Sequence, residues 1–65
     1  MLLIDLLKVM DDDTRICIEV PKIQFPYTGY LKDIMDEIPA RYLECRIENV
    51  RYSPMYYGIY IVIEL

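Results

Sequence analysis

The architecture of this chain follows from its final segment, Tyr56-Tyr57-Gly58-Ile59-Tyr60-Ile61-Val62-Ile63-Glu64-Leu65. Successive side chains of a β-strand point to opposite faces of the sheet. One face of this segment carries Tyr57, Ile59, Ile61, Ile63 and Leu65, and the other carries Tyr56, Tyr60, Val62 and Glu64. Both faces are largely apolar, which is typical of a central strand covered on both sides. The segment therefore predicts the middle of a sheet.

The preceding segment, Cys45–Ser53, alternates as a second strand with one irregularity. Ile47 and Val50 are both apolar but differ by three positions, which would place them on opposite faces. A β-bulge near Glu48-Asn49 returns them to the same face. Because Ser53-Pro54-Met55 is typical of a turn, we expect the last two strands to form an antiparallel hairpin.

The N-terminal part predicts a helix followed by a strand. Residues 1–10 are apolar around most of a helical circumference, so this helix would pack on a sheet. Asp11-Asp12-Asp13-Thr14 ends the helix as a turn. Thr14–Val20 then alternates between apolar and polar residues, as expected of a strand with one buried face.

The middle of the chain is less regular. Lys22–Thr28 follows Pro21 and contains Pro26, and it predicts a loop or an irregular edge. Residues 30–34 suit either a short edge strand or the start of a helix, and we prefer the strand. A brief helix follows over Asp36–Leu43, with Pro39 in its first turn, where no amide donor is needed.

These elements predict a single domain, residues 1–65, of the α+β class. The expected architecture is a small, mostly antiparallel sheet of three to four strands with two helices on one face, in the order α-β-β-α-β-β. The predicted core combines strand and helix residues: Ile16, Ile18, Val20, Cys45, Ile47, Val50, Ile59, Ile61 and Ile63 against Leu3, Leu6, Leu7, Val9, Met10, Ile38 and Leu43.

The face of the sheet opposite the helices is the predicted self-association surface. It would show Tyr60 and Val62 in the middle with Cys17 beside them. Hydrophobic residues make up 55% of the chain, more than one small core requires. We therefore expect a homo-oligomer, a dimer, formed through this apolar strip.

The side chains that catalysis requires are missing. The chain has no histidine, its one serine (Ser53) has no neighbouring base, and Gly29 and Gly58 are too isolated to form a phosphate loop. Cys17 and Cys45 are expected on opposite faces of the sheet, as free thiols that form neither a disulfide nor a zinc site. We predict a protein that is not an enzyme and has no metal site and no cofactor.

Charge and hydropathy narrow the class of partner. The formal net charge is −4, which disfavours direct nucleic-acid binding and suits a basic protein partner. The N-terminus lacks the pattern of a signal peptide, and no apolar run approaches the about 18 residues of a membrane span. The sequence thus predicts a cytoplasmic protein without membrane contact.

Two groups of residues are candidates for partner binding: Asp11, Asp12 and Asp13 in the turn, and Tyr52, Tyr56 and Tyr57 near the last hairpin. Tyrosine is enriched at recognition surfaces, although it also forms and pairs strands well. The aspartates lack the spacing of a calcium loop, and their pattern by itself favours a solvated turn over a binding role. A second acidic group (Asp33, Asp36, Glu37 and Glu44) is expected along the same edge, where it would either mimic nucleic acid or act only in solubility.

Three segments carry a resemblance to known sequences: residues 5–18, Asp36-Glu37-Ile38-Pro39 and the two-strand ending. Together they resemble short uncharacterised proteins of phages and prophages of Gram-positive bacteria. The resemblance implies a small accessory protein. Such proteins often antagonise host defences, and anti-CRISPR proteins are among them.

Three functions follow as hypotheses. The leading one is a non-catalytic inhibitor that binds a host defence protein such as a CRISPR effector. The second is an oligomeric nucleotide-binding sponge, in which tyrosines at a subunit boundary stack a base and Arg41, Arg46 or Arg51 holds phosphate. The third is a structural homo-oligomeric assembly protein.

Overall fold

The computed structural model describes all 65 residues and confirms the α+β fold. The helices are α1 (Leu3–Leu7), α2 (Leu31–Ile34) and α3 (Ala40–Leu43), with a 3-10 turn at Met35–Glu37. The strands are β1 (Arg15–Glu19), β2 (Tyr27–Tyr30), β3 (Ile47–Ser53) and β4 (Gly58–Ile63).

The four strands form one sheet in the order β2-β1-β4-β3. The final strand β4 is therefore central in the sheet, as its apolar pattern predicts. β2 is antiparallel to β1, and β3 is antiparallel to β4. The middle pair is parallel, with Ile16 opposite Ile59 and Ile18 opposite Ile61. The sheet is thus mostly antiparallel, with one parallel pair that joins its two halves.

Helix α1 is shorter than the helix predicted over residues 1–10. Its start is fixed by β3, because Leu3 N–H donates to the Cys45 carbonyl at 2.8 Å and Ile47 N–H donates to the Met1 carbonyl at 3.1 Å. These contacts hold the first two residues in extended conformation. The Asp5 carboxylate accepts the Leu2 N–H at 3.1 Å and satisfies an amide at the helix start. After Leu7 the chain continues in turns.

The strand preferred for residues 30–34 is wrong, and the alternative helix is present there. β2 covers Tyr27–Tyr30 and ends where Tyr30 pairs with Arg15. The next two amides bond to the turn that precedes β1. Leu31 N–H donates to the Thr14 carbonyl at 2.9 Å, and Lys32 N–H donates to the Asp12 carbonyl at 3.1 Å. These bonds satisfy amides that a new helix leaves unpaired, so α2 starts at Leu31.

The helix predicted over Asp36–Leu43 is divided in two. Met35–Glu37 is a 3-10 turn, and α3 begins only at Ala40. Pro39 has an extended backbone (ψ of 142°) and precedes the first turn of α3 instead of lying in it. This interruption lets Ile38 and Tyr42 both turn towards the core.

The hairpin prediction is confirmed in detail. The pairing of β3 with β4 shifts between Ile47 and Asn49, so the predicted bulge at Glu48 is present. Ile47 then lies opposite Ile63, and Val50 lies opposite Ile61.

The core lies between one face of the sheet and the three helices. Its buried members are Leu3, Leu7, Ile16, Ile18, Val20, Leu31, Ile34, Ile38, Tyr42, Ile61 and Ile63. Two predicted members are wrong: Val9 is 79% exposed in the turn after α1, and Val50 is 44% exposed on the edge strand β3. The core also contains Leu31 and Ile34, which the preferred strand over residues 30–34 does not place there, and Tyr42, which lies in α3 but is absent from the predicted core. We call the face without helices the open face.

Candidate interaction surface

The parallel pairing of β1 with β4 brings the two predicted partner-binding groups to one end of the sheet. β1 begins at Arg15, directly after the turn of aspartates, and β4 begins at Gly58, directly after Tyr57. Since Ile16 lies opposite Ile59, both strands start at the same level. The turn at Asp11–Asp13, which we call the acidic turn, therefore lies at the same end of the sheet as the turn of the β3–β4 hairpin.

The acidic turn has a fixed backbone and free carboxylates. Thr14 N–H donates to the Asp11 carbonyl at 3.0 Å, and the Lys32 amide donates to Asp12. All three aspartates are exposed. Only Asp13 has an ion-pair partner, Lys32, with Nζ 3.1 Å from Oδ1. This contact with Asp13 raises the pKa of Lys32. The carboxylates of Asp11 and Asp12 make no hydrogen bond in the structure.

The three candidate tyrosines of the hairpin do not share one face. Tyr52 lies opposite Ile59 on the helix side of the sheet and is 62% exposed. Tyr56 stacks on Tyr60 of the open face, with ring centroids 5.9 Å apart and planes at 17°. Tyr57, directly before β4, is 75% exposed and has a left-handed backbone, with φ of 55°. All three tyrosines thus lie at the end of the sheet that carries the acidic turn, with Tyr52 on the helix side and Tyr56 on the open face.

Arg15 holds this end of the sheet together, and sequence analysis did not identify it. Its Nε atom donates to the Tyr56 carbonyl oxygen at 3.3 Å. Its guanidinium carbon lies 5.4 Å from the centroid of the Tyr30 ring, within cation–π range. The available signal was its phase in β1, because Arg15 shares the open face with Cys17 and Glu19.

The arginines considered for phosphate binding occupy three separate places. Arg51 lies over the Tyr60 ring at 5.1 Å on the open face, and Arg41 lies over the Tyr42 ring at 4.6 Å. Arg46 is at the opposite end of the sheet, where it bridges to Leu2. These three side chains therefore form no common anion site within one copy of the chain.

The predicted self-association residues lie on the open face at two depths. Tyr60 and Val62 are half-buried at the surface, whereas Cys17 is fully buried beneath its neighbours. The Thr28 hydroxyl lies 3.5 Å from the Cys17 sulfur and donates to it. Cys17 consequently has no surface of its own to offer a partner, which corrects its expected exposure. Self-association through Tyr60 and Val62 stays a prediction.

Two side chains of the open face have perturbed acidity. The Glu19 carboxylate beside the Tyr60 hydroxyl, together with burial, raises the pKa of Tyr60 to about 12. Burial raises the pKa of the Cys17 thiol, although the hydrogen bond from Thr28 acts in the other direction. The Cys17 thiol is thereby held in its unreactive protonated form.

The second acidic group does not lie along one edge with the acidic turn. Asp33 belongs to α2, next to Lys32, which is bonded to the turn. Glu44 follows α3 and leads into β3, whose first residue, Ile47, pairs with the last residue of β4. Glu44 is therefore at the opposite end of the sheet, and the expected single acidic edge is divided.

No three His, Cys, Asp or Glu side chains are grouped so that they could hold a metal ion. The surface has no pocket. None of the helices has the length and apolar character needed to cross a membrane. Both cysteines are free; Cys45 packs against the core, on the other side of the sheet from Cys17.

Comparisons of the chain with protein-family models, with curated proteins and with solved structures give no match.

Proposed function

We propose that this protein is a non-catalytic binding module that captures a basic partner protein at the end of the sheet that carries the acidic turn and the turn of the β3–β4 hairpin. The observation that carries this proposal is the parallel register of β1 and β4. It supports the proposal because both the acidic turn and the turn of the β3–β4 hairpin then lie at the same end of the sheet. Neither group alone would distinguish a binding site from an ordinary solvated turn.

The two groups supply complementary contributions to binding. The carboxylates of Asp11 and Asp12 attract lysine and arginine side chains, which accelerates association and aligns the partner. Tyr57 offers a large apolar area with a polar tip, a combination that is enriched where binding energy is concentrated. Arg15 fixes the hairpin to β1 before binding, so little conformational freedom is lost in the complex.

The class of partner that we propose is a host defence protein, such as a CRISPR effector, met in the cytoplasm of the host cell. The support for this class is the resemblance of the chain to short phage and prophage proteins. A nucleic-acid-binding defence protein carries a basic surface, whose positive charge is complementary to the negative charge of the acidic turn.

The decisive experiment compares two double charge reversals in partner capture from a Gram-positive host lysate. Asp11→Lys with Asp12→Lys changes the acidic turn, whereas Asp36→Lys with Glu37→Lys changes net charge equally on the exposed 3-10 turn. We expect the first pair to lose the captured protein, most strongly at low salt, and the second pair to retain it. Equal capture by both variants, or no specific capture by the wild-type protein, would overturn the proposal.

Nucleotide binding is the second candidate, and the open face favours it through one observation. The Tyr56–Tyr60 stack lies between Arg15 and Arg51, and neither guanidinium makes an ion pair with a carboxylate. A base could stack beside the tyrosines while arginine binds phosphate. A thermal-shift screen with mononucleotides and cyclic dinucleotides tests this, since a ligand of the native state raises Tm. A flat screen would exclude these ligands.

A further inference from the structure

Arginine and tyrosine side chains form a row across the open face. Arg15 of β1 pairs with Tyr30 of β2, and its guanidinium carbon lies 5.4 Å from the centroid of that ring. Arg51 of β3 pairs with Tyr60 of β4 and lies 5.1 Å from its centroid. Tyr56 joins the two pairs, because its carbonyl accepts from Arg15 and its ring stacks on Tyr60. We call these five side chains the arginine–tyrosine strip.

The two guanidinium groups of the strip are not neutralised by carboxylates. The one ion pair of the chain joins Lys32 to Asp13. Lys32 Nζ also lies 6.0 Å from the centroid of the Tyr30 ring, which places a positive charge between the strip and the acidic turn. Glu19, at the end of β1, faces the Tyr60 hydroxyl instead of an arginine. The net charge of −4 that disfavours nucleic-acid binding is a sum over all surfaces, whereas this strip is locally cationic.

The shape of the open face distinguishes between classes of phosphate-bearing ligand. The surface has no pocket, whereas sites for small molecules are concave and enclose most of the ligand. The strip instead crosses all four strands, a span of three strand spacings or about 14 Å. A duplex keeps its bases stacked inside the helix, so they cannot reach the tyrosine rings. A flexible single strand can lay successive phosphates and bases along a flat row of this kind.

We propose that the arginine–tyrosine strip binds a short single strand of nucleic acid, laid across the open face from β2 to β3. Arg15 and Arg51 bind phosphates, and bases stack on the guanidinium planes and on the tyrosine rings that reach solvent, among them Tyr30, which is 41% exposed. The alternation of cation and ring along the strip matches the alternation of phosphate and base along the strand. An acidic peptide offers the charges without the bases.

This site includes the Tyr56–Tyr60 stack considered above for free nucleotides, but the ligand is polymeric. A mononucleotide cannot reach both arginine–tyrosine pairs at once. A flat thermal-shift screen with mononucleotides is therefore the result that this proposal expects.

The test is fluorescence anisotropy with a labelled thymidine hexanucleotide over a salt series. We expect the logarithm of the binding constant to fall against the logarithm of salt concentration with a slope of about −1.4, since two phosphates are neutralised and each contributes about −0.7. Unlabelled hexanucleotide should displace the probe, whereas thymidine monophosphate, a short duplex and hexaglutamate at equal concentration should not. No binding of the hexanucleotide, or equally effective displacement by any of the other three, would overturn the proposal.

Arg51→Met is the first variant, because Arg51 is exposed on the edge strand β3. We expect about tenfold weaker binding, from the loss of one charged contact, and a salt slope of about −0.7. Arg41→Met is the matched control: it also removes an arginine that lies over a tyrosine, at 4.6 Å from the Tyr42 ring, but in α3 and outside the strip. Equal losses in the two variants would overturn the proposal.

Tyr30→Leu tests stacking separately from charge. It should weaken binding and leave the salt slope unchanged, because it removes a ring and no cation. Circular dichroism verifies that each variant is folded, and Tyr30→Leu still tests the strip if Arg51→Met does not fold. Unchanged affinity in folded Tyr30→Leu would contradict stacking on the strip.

Failure of this proposal and failure of the partner-protein proposal have different signatures. Asp11→Lys with Asp12→Lys should retain the hexanucleotide, since the added positive charge attracts phosphate, whereas Arg51→Met should still capture the partner protein from host lysate. Loss of the hexanucleotide in the aspartate variant with retention in Arg51→Met would place the nucleic acid away from the strip and overturn the proposal.

Discussion

The Nε atom of Arg15 donates a hydrogen bond to the backbone carbonyl of Tyr56, 41 residues later in the chain. The same guanidinium lies over the ring of Tyr30, at the end of β2. One side chain thus connects β1, β2 and the β3–β4 hairpin at the end of the sheet that carries the acidic turn. The candidate surface depends on this arginine for its shape, although Arg15 need not touch a partner.

We expect Arg15→Met to lower the free energy of unfolding by about 1 to 2 kcal/mol, since it removes one hydrogen bond and one cation–π contact while keeping a long apolar side chain. Urea denaturation measures the change. Arg46→Met is the control, because the Arg46 side chain makes no hydrogen bond in the structure. Equal stabilities of the two variants would show that Arg15 does not fasten the hairpin.

Gly58 is required by close packing of β4 against β1. A Cβ atom at this position would lie 2.8 Å from the Cβ of Arg15 and would collide with the Arg15 carbonyl oxygen. We expect Gly58→Ala to cost about 1 to 3 kcal/mol, the usual cost of overpacking. Ser53→Ala, on the partner strand opposite Gly58, should cost much less in the same thermal or urea measurement. A neutral Gly58→Ala would mean that the two strands separate there without penalty.

Tyr57 adopts a left-handed backbone that disfavours a side chain. Replacing it by glycine relieves this strain but adds freedom to the unfolded chain, so we expect a net gain of about 0.5 to 1 kcal/mol. Met55→Gly, in the same turn but without a positive φ, should instead lose stability. If Tyr57 binds a partner, the stabilised Tyr57→Gly variant also captures less of it. A Tyr57→Gly protein that is less stable than wild type would contradict backbone strain at Tyr57.

The hydroxyl of Tyr60 makes stability depend on alkaline pH. Its folded pKa of about 12 exceeds the ordinary value of 10, so the fold favours the protonated form. The resulting stabilisation is complete below about pH 10 and is lost as the pH rises through about 12. We expect Tyr60→Phe to be less stable than wild type at neutral pH and to lose less stability over this range. Tyr57→Phe should follow the wild-type profile, and parallel profiles for all three proteins would contradict the influence of Glu19 on the Tyr60 hydroxyl.

The two thiols should differ in reactivity although both are free. Cys17 is fully buried with a raised pKa, whereas Cys45 is half-buried at the edge of the core. We expect an alkylating reagent to label native protein first at Cys45 and at Cys17 only on unfolding. Mass spectrometry of wild-type and Cys45→Ser protein distinguishes the sites. Rapid labelling of native Cys45→Ser would show that the open face admits solvent to Cys17.

The strands were predictable because their side-chain alternation is local. Ile16 and Ile18 mark β1 directly, and the phase change between Ile47 and Val50 indicates the bulge at Glu48. The strand preference for residues 30–34 failed because Leu31 and Ile34 suit both a strand edge and one helical turn. The helix is favoured because the Leu31 and Lys32 amides donate to the carbonyls of Thr14 and Asp12. A local sequence pattern does not reveal this tertiary contact.

The sequence indicates which residues belong to the candidate surface, but it does not indicate how they are arranged in space. Asp11, Asp12 and Tyr57 stand out as charge and aromatic clusters. Their position at one end of the sheet depends on β1 pairing with β4 in parallel, a long-range choice that the spacing of apolar residues does not specify. The same limit explains Val50, whose apolar character predicts burial but whose strand lies at the edge.

The parallel pair also has a consequence for the order in which the protein can form. The β1–β2 unit with its helices and the β3–β4 hairpin are each assembled from neighbouring parts of the chain. When the two units pair, Ile16 lies opposite Ile59 and the intervening chain is closed into a long loop. The entropy of this loop is lost before the contacts between β1 and β4 stabilise the pair. On the ribosome, the first half emerges with one side of β1 unpaired and must wait for the final strand. Synthesis therefore passes through an interval in which Ile16 and Ile18 are within reach of chaperones and of other nascent chains.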